Sequence, residues 1–138
     1  MSATELLREL KRIGTPERAL SSARFFKTQP GQYGYGDRFL GVSVPQQRAV
    51  AKQFKSLPKQ EIESSLQSDW HEVRLTTLFV LVNQFGKSAT EDQETLLKLY
   101  LNNTDRVNNW DLVDSSAPQI LGAFLLDRPE KRKILYQR

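Results

Sequence analysis

The sequence predicts an all-α fold built from antiparallel pairs of helices. Three observations predict it. Apolar residues recur at i, i+3, i+4 and i+7 in segment after segment. Most segments open on Ser, Thr, Asp or Pro and are separated by Gly, Pro or short polar turns, the punctuation of helix ends. No segment alternates apolar and polar residues as a strand would. Helices of roughly three to four turns joined by short loops suggest stacked pairs of the HEAT-like kind, a helical-repeat solenoid. A single four-helix bundle is the competitor, and about eight helices are too many for it. The 138 residues suit one helical-repeat domain over 1–138.

The first helix opens on Ser2-Ala3-Thr4-Glu5, a capping-box pattern. Leu6, Leu7, Leu10 and Ile13 give its apolar stripe, and Gly14 ends it. Thr15-Pro16 starts a second helix, with a capping hydroxyl and proline at the first position. Its apolar face reads Ala19, Leu20, Ala23 and Phe26. A glycine-rich stretch from Gln29 to Gly41 follows and reads as a long loop. Gly34-Tyr35-Gly36 hints at a dinucleotide-binding turn, but the spacing fails at Phe39 and no βαβ unit surrounds it. The loop is either a stacking and phosphate-contacting element, through its tyrosines and Arg38, or a connector held down by Phe39 and Leu40.

Ser43-Val44-Pro45-Gln46 begins a third helix, and Pro58 opens a fourth. Asp69-Trp70-His71-Glu72 reads as a capping box for a fifth, closed by Gly86. Between them Val73, Leu75, Leu78, Phe79, Val80, Leu81, Val82 and Phe85 are apolar almost all round, the mark of a helix enclosed by neighbours. At that helix start His71 and Glu72 are read as structural rather than as a catalytic dyad. Thr90-Glu91-Asp92-Gln93 starts a sixth helix, residues 108–125 form a seventh that Pro118 kinks, and Asp127-Arg128-Pro129-Glu130 starts an eighth. The last residues, 133–138, carry apolar side chains in an unfinished helical pattern without the polar cap of a solenoid end. That predicts a chain truncated at the C-terminus or completed by a partner.

Composition narrows the chemistry. There is no cysteine and one histidine, His71, so thiolate and His-cluster metal sites are ruled out. No apolar run reaches the length of a membrane span, and the start resembles no signal peptide. The net charge of +4 is uneven. Residues 1–58 hold 10 Lys+Arg against 4 Asp+Glu, whereas 59–138 hold 10 against 12. The basic first half suits a polyanion, although a solvated surface would read the same way.

The sharpest local inconsistency lies in Asn108-Asn109-Trp110-Asp111-Leu112-Val113-Asp114. On a helix, Trp110, Val113, Asp114, Ala117 and Leu121 share one stripe, and a carboxylate interrupts it. A local rule broken in this way is expected at functional sites. It is also what an ordinary acid near a helix start looks like. Asp111 lies roughly 100° around the helix from Trp110, whereas Asp114 is nearly in line with it. Asp111 therefore reads as first-turn electrostatics.

These residues, with Phe39-Leu40-Gly41-Val42, Val44-Pro45, Arg48, His71-Glu72 and Arg74, resemble the bacterial DNA alkylation repair family of AlkD-type DNA glycosylases. The resemblance covers nearly the whole chain, and Trp-Asp-x-x-Asp is its most specific piece. It implies a HEAT-like fold with a basic, DNA-facing concave surface. It also implies excision of cationic N3- or N7-alkylated purines from duplex DNA, with no cofactor and no metal, by a monomer in the bacterial cytoplasm, associated with the nucleoid while acting. In this resemblance Asp114 is similar to the catalytic carboxylate, and Trp110 to the aromatic at the lesion-bearing backbone. Phe25 falls where some members carry tyrosine. It keeps the ring and lacks the hydroxyl, so a hydrogen-bonding role is not carried over. Members of the family continue past this chain's end with further DNA contacts, so the resemblance is to the N-terminal portion of a larger repeat fold. Lys27, Arg38, Arg48, Lys52 and Arg74 are candidate phosphate contacts. The alternative reading is a helical-repeat module that binds DNA structure without catalysis. A third is a protein-interaction scaffold, which the basic first half disfavours.

Overall fold

The computed structural model describes residues 1–25 and 38–106, together with Leu112 and Ile120. Their regular elements are helices: α1 (Ala3–Ile13), α2 (Pro16–Phe25), α3 (Val44–Gln53), α4 (Lys59–Leu66), α5 (His71–Lys87) and α6 (Thr90–Asn102), followed by a 3₁₀ turn at Thr104–Arg106. Among the described residues there is no strand, only an isolated bridge between Arg38 and Trp70. The all-α helical-repeat fold expected from periodicity is the one observed. The predicted seventh and eighth helices lie outside the described residues, apart from Leu112 and Ile120, both buried.

Local chemistry explains where the first four helices start. Ser2 caps α1, its hydroxyl accepting the Glu5 N–H at 3.1 Å. The Ala3 N–H, which no intrahelical carbonyl can reach, donates to the Glu61 carboxylate of α4 at 3.0 Å. Thr15 accepts the Arg18 N–H ahead of Pro16. Ser43 and Gln46 form the reciprocal capping box of α3, and Pro58 precedes α4.

Helix α5 is the centre. Twelve of its 17 residues are buried, and it packs against α1, α3, α4 and α6. Leu78, Val80 and Leu81 have no exposed surface, as an all-round apolar helix requires. Two polar residues inside this core are paired. Gln47 of α3 donates to the Val42 carbonyl at 2.9 Å, and Thr77 donates to the Val73 carbonyl at 2.6 Å. Leu6 and Leu10 carry α1 into the same cluster, and Leu96, Leu97, Tyr100 and Leu101 carry α6.

The structure departs from the local reading in three places. The Asp69-to-Glu72 capping box does not form: Trp70 occupies the cap without a side-chain bond, and Glu72 turns away to a different partner. Helix α6 starts at Thr90 as expected, although its cap residue Ala89 makes no side-chain bond. Gly86 lies inside α5, which runs on to Lys87 and ends at Ser88. Leu20, expected on the inner face of α2, is 55% exposed.

Candidate nucleic-acid interface

The segment 38–42 decides how one end of the molecule is built. It enters as extended backbone beside the start of α5. The Arg38 N–H donates to the Asp69 carbonyl at 3.2 Å, and the Arg38 carbonyl accepts the His71 N–H at 2.7 Å. The Glu72 carboxylate then receives three consecutive backbone N–H groups: Leu40 at 2.9 Å, Gly41 at 2.8 Å and Val42 at 3.3 Å. Three donors converging on one buried carboxylate make a charge-assisted clamp. On its other side the segment meets the α1–α2 turn, where Thr15 N–H donates to the Gly41 carbonyl at 3.1 Å. Gly41 has φ of 83°, and a Cβ there would collide with the Thr15 carbonyl oxygen. Only glycine accommodates both demands. His71 stacks on Phe39 with ring centroids 4.8 Å apart. His71 and Glu72 are thus part of the architecture, and Phe39 and Leu40 hold this part of the segment down. Tyr33 and Tyr35 lie outside the described residues.

This clamp presents a cation. Arg38 is exposed, with its guanidinium carbon 4.5 Å from the centroid of Trp70, and Lys11 of α1 places its ammonium 5.7 Å from the same ring. On α3, the exposed Arg48 stacks at 4.2 Å on the buried ring of Phe79. Lys52 follows one turn later on the same exposed face. A guanidinium resting on an aromatic ring keeps its outer N–H groups available while its stem is held. Held cations lose less conformational freedom on meeting a phosphate than free ones do.

Arg74 is a correction. It is 2% exposed, and its Nη1 donates to the Ser68 carbonyl at 2.8 Å. As part of the apolar-walled α5 it secures the turn before the helix, and it presents no guanidinium to solvent. Phe25 is the last residue of α2, and its side chain lies outside the described residues. Lys27, Trp110 and Asp114 also lie outside them.

Sequence reading missed two groups here. Trp70 serves as a platform for two cations, because Lys11 and Arg38 are brought to it from 59 and 32 residues away. Arg106 donates to the carbonyls of Leu66, Gln67 and Ser68, and so closes the C-terminal end of α4. Cations are expected at helix C-termini, but nothing local pairs position 106 with α4. Among the described residues no three His, Asp or Glu side chains gather as a metal site would need, and no helix is long and apolar enough to cross a membrane.

An all-α repeat fold that displays held cations at its surface belongs to a class able to engage a phosphate backbone. Residues 6–137 match the family model described as DNA alkylation repair enzyme, so the chain belongs to that family. No individual curated protein and no solved structure matches it.

Proposed function

We propose that this protein is a DNA glycosylase that releases cationic N3- and N7-alkylated purines from duplex DNA. The observation that carries the proposal is the family match over 6–137, which includes Trp110-Asp111-Leu112-Val113-Asp114. The chemistry suits these residue types. An alkylated purine of this kind is positively charged, so it leaves as a neutral base with little acid assistance. As the bond from C1′ to the purine nitrogen breaks, positive charge develops on the sugar. The Asp114 carboxylate stabilises that charge and orients a water. The water oxygen bonds to C1′, its proton passes to Asp114 and then to solvent, and an abasic sugar remains. The Trp110 ring face adds cation–π stabilisation and fixes the backbone. Arg38, Arg48 and Lys52 contact phosphates, as does Lys27, and they position the duplex without reading bases. Phe25 offers an aromatic surface to the same duplex. The reaction needs no cofactor, and the protein acts as a monomer in the bacterial cytoplasm.

The test is release of methylated base from methylated duplex DNA by the natural full-length protein, followed chromatographically. Asp114→Asn is expected to lose roughly 10²–10³-fold in rate, the scale of removing one preorganised electrostatic group. Its helical circular dichroism should match the parent. A wild-type protein that binds the duplex with ordinary salt sensitivity yet releases no base would overturn the enzyme reading and leave a non-catalytic DNA-binding module.

A further inference from the structure

At the end of α5 opposite to Trp70, a cleft of about 440 Å³ opens between the α3–α4 connection, the last turns of α5 and the start of α6. Its walls carry Lys55, Lys59 and Lys87, with the amide of Asn83 and the hydroxyl of Ser56 among them. The carboxylate facing it is Asp92, 3.8 Å from Lys59. Lys55 and Lys87 form no ion pair with any described residue. Three ammonium groups against one carboxylate leave the cleft with a surplus of two positive charges.

Helix energetics account for only part of this gathering: Lys55 directly follows the C-cap of α3, where a cation is favoured. Lys87 suits its position, since a cation is favoured in the last turn of a helix. Lys59 does not, because it is the first residue of α4, where the helix dipole already places positive charge. The start of α6 borders the same cleft, and its cap residue Ala89 supplies no side-chain acceptor. Its dipole contributes positive potential there, offset in part by Glu91 and Asp92 in the first turn. The walls are also held in place. Gln84 Nε2 donates to the carbonyls of Lys55 at 3.0 Å and Leu57 at 2.9 Å, which pins α5 to the α3–α4 connection. A cleft of this size falls within the range of small-ligand sites.

We propose that the Lys55–Lys59–Lys87 cleft is an anion site that takes phosphate oxyanions. Its lining residues include none of those assigned to base excision, and its test does not depend on that reaction. The phosphates come either from a polynucleotide backbone or from a small phosphate compound.

The experiment uses the natural full-length protein and two probes, pyrophosphate and an unmodified DNA duplex. Backbone amide signals of Ser56, Asn83 and Ser88 are followed by NMR in the parent and in the triple variant Lys55→Gln, Lys59→Gln, Lys87→Gln. All three positions are solvent-facing, and circular dichroism checks that the variant is folded. Pyrophosphate is expected to shift these amides in the parent and not in the variant. Asp92→Asn, which removes the carboxylate, should tighten pyrophosphate binding. If the duplex also shifts them, the source is a polynucleotide. The dependence of log binding constant on log salt should then be shallower in the variant by about 2 to 3, since each neutralised phosphate contributes about 0.9. If pyrophosphate shifts them and the duplex does not, the source is a small phosphate compound. If neither probe moves these signals, or if the triple variant responds as the parent does, the proposal is overturned. None of these outcomes depends on whether the protein excises a base.

Discussion

Replacing Glu72 by glutamine isolates the contact on which the exposed Arg38 depends. The two side chains have nearly the same shape, so packing inside α5 is preserved. The donors are not. Oε1 accepts Leu40 N–H, and Oε2 accepts both Gly41 and Val42 N–H. A glutamine carbonyl can keep one or two of these. Its NH₂ must then point at a third N–H, leaving at least one buried donor without an acceptor. An unsatisfied buried group costs about 1–3 kcal/mol, and each retained bond loses charge assistance worth on the order of 1 kcal/mol. The expected loss is about 2–5 kcal/mol, a large fraction of a domain's typical stability of about 5–15 kcal/mol. Urea unfolding followed by circular dichroism measures it. At a slope of about 2 kcal/mol per molar, the midpoint should fall by about 1–2.5 M. Amide hydrogens of Leu40, Gly41 and Val42 should exchange faster in the variant. A loss below about 1 kcal/mol with unchanged protection at these three amides would refute the clamp.

Gly41→Ala should destabilise by at least about 1–3 kcal/mol in the same urea assay, because its φ of 83° suits glycine and its Cβ would meet the Thr15 carbonyl. Leu78→Ala empties a fully buried site at the centre of α5 and should cost about 2–5 kcal/mol without loss of helical signal at low denaturant. Glu9 titrates below the ordinary carboxylate range, chiefly because Arg12 hydrogen-bonds it, with Nη2 at 2.5 Å and Nε at 3.1 Å, and Arg12→Ala should return its NMR titration midpoint to that range. Since its folded pKa is depressed, whatever the pair contributes is present above the unfolded pKa and fades as pH falls through the folded one. For an exposed pair like this, urea midpoints near neutral pH should barely change.

The helices were legible because their signals are local. Ser2, Thr15-Pro16, Ser43-Pro45 and Pro58 each mark a start through groups within a turn of one another. The central place of α5 was legible too, since a helix apolar on every face has to be enclosed. The carboxylate in the Trp110 stripe could be singled out from spacing, and its part in base excision is a proposal that rests on resemblance and family.

What sequence alone could not decide was which partner a polar group would choose when a local and a distant one compete. Asp69-Trp70-His71-Glu72 has the pattern of a capping box. Glu72 forgoes that arrangement because three backbone donors from residues 40–42 present themselves together, and together they bind a carboxylate more strongly than one cap N–H does. Arg74 reads as a surface cation until the fold encloses it and offers the Ser68 carbonyl. Lys11 and Arg38 meet over Trp70, and Lys55, Lys59 and Lys87 gather at one cleft, only because α1, α3, α4 and α5 pack as they do. Periodicity and capping act within a turn or two of chain, so they determine elements. The convergence of charges depends on contacts between residues tens of positions apart, and these exist only once the core around α5 has formed.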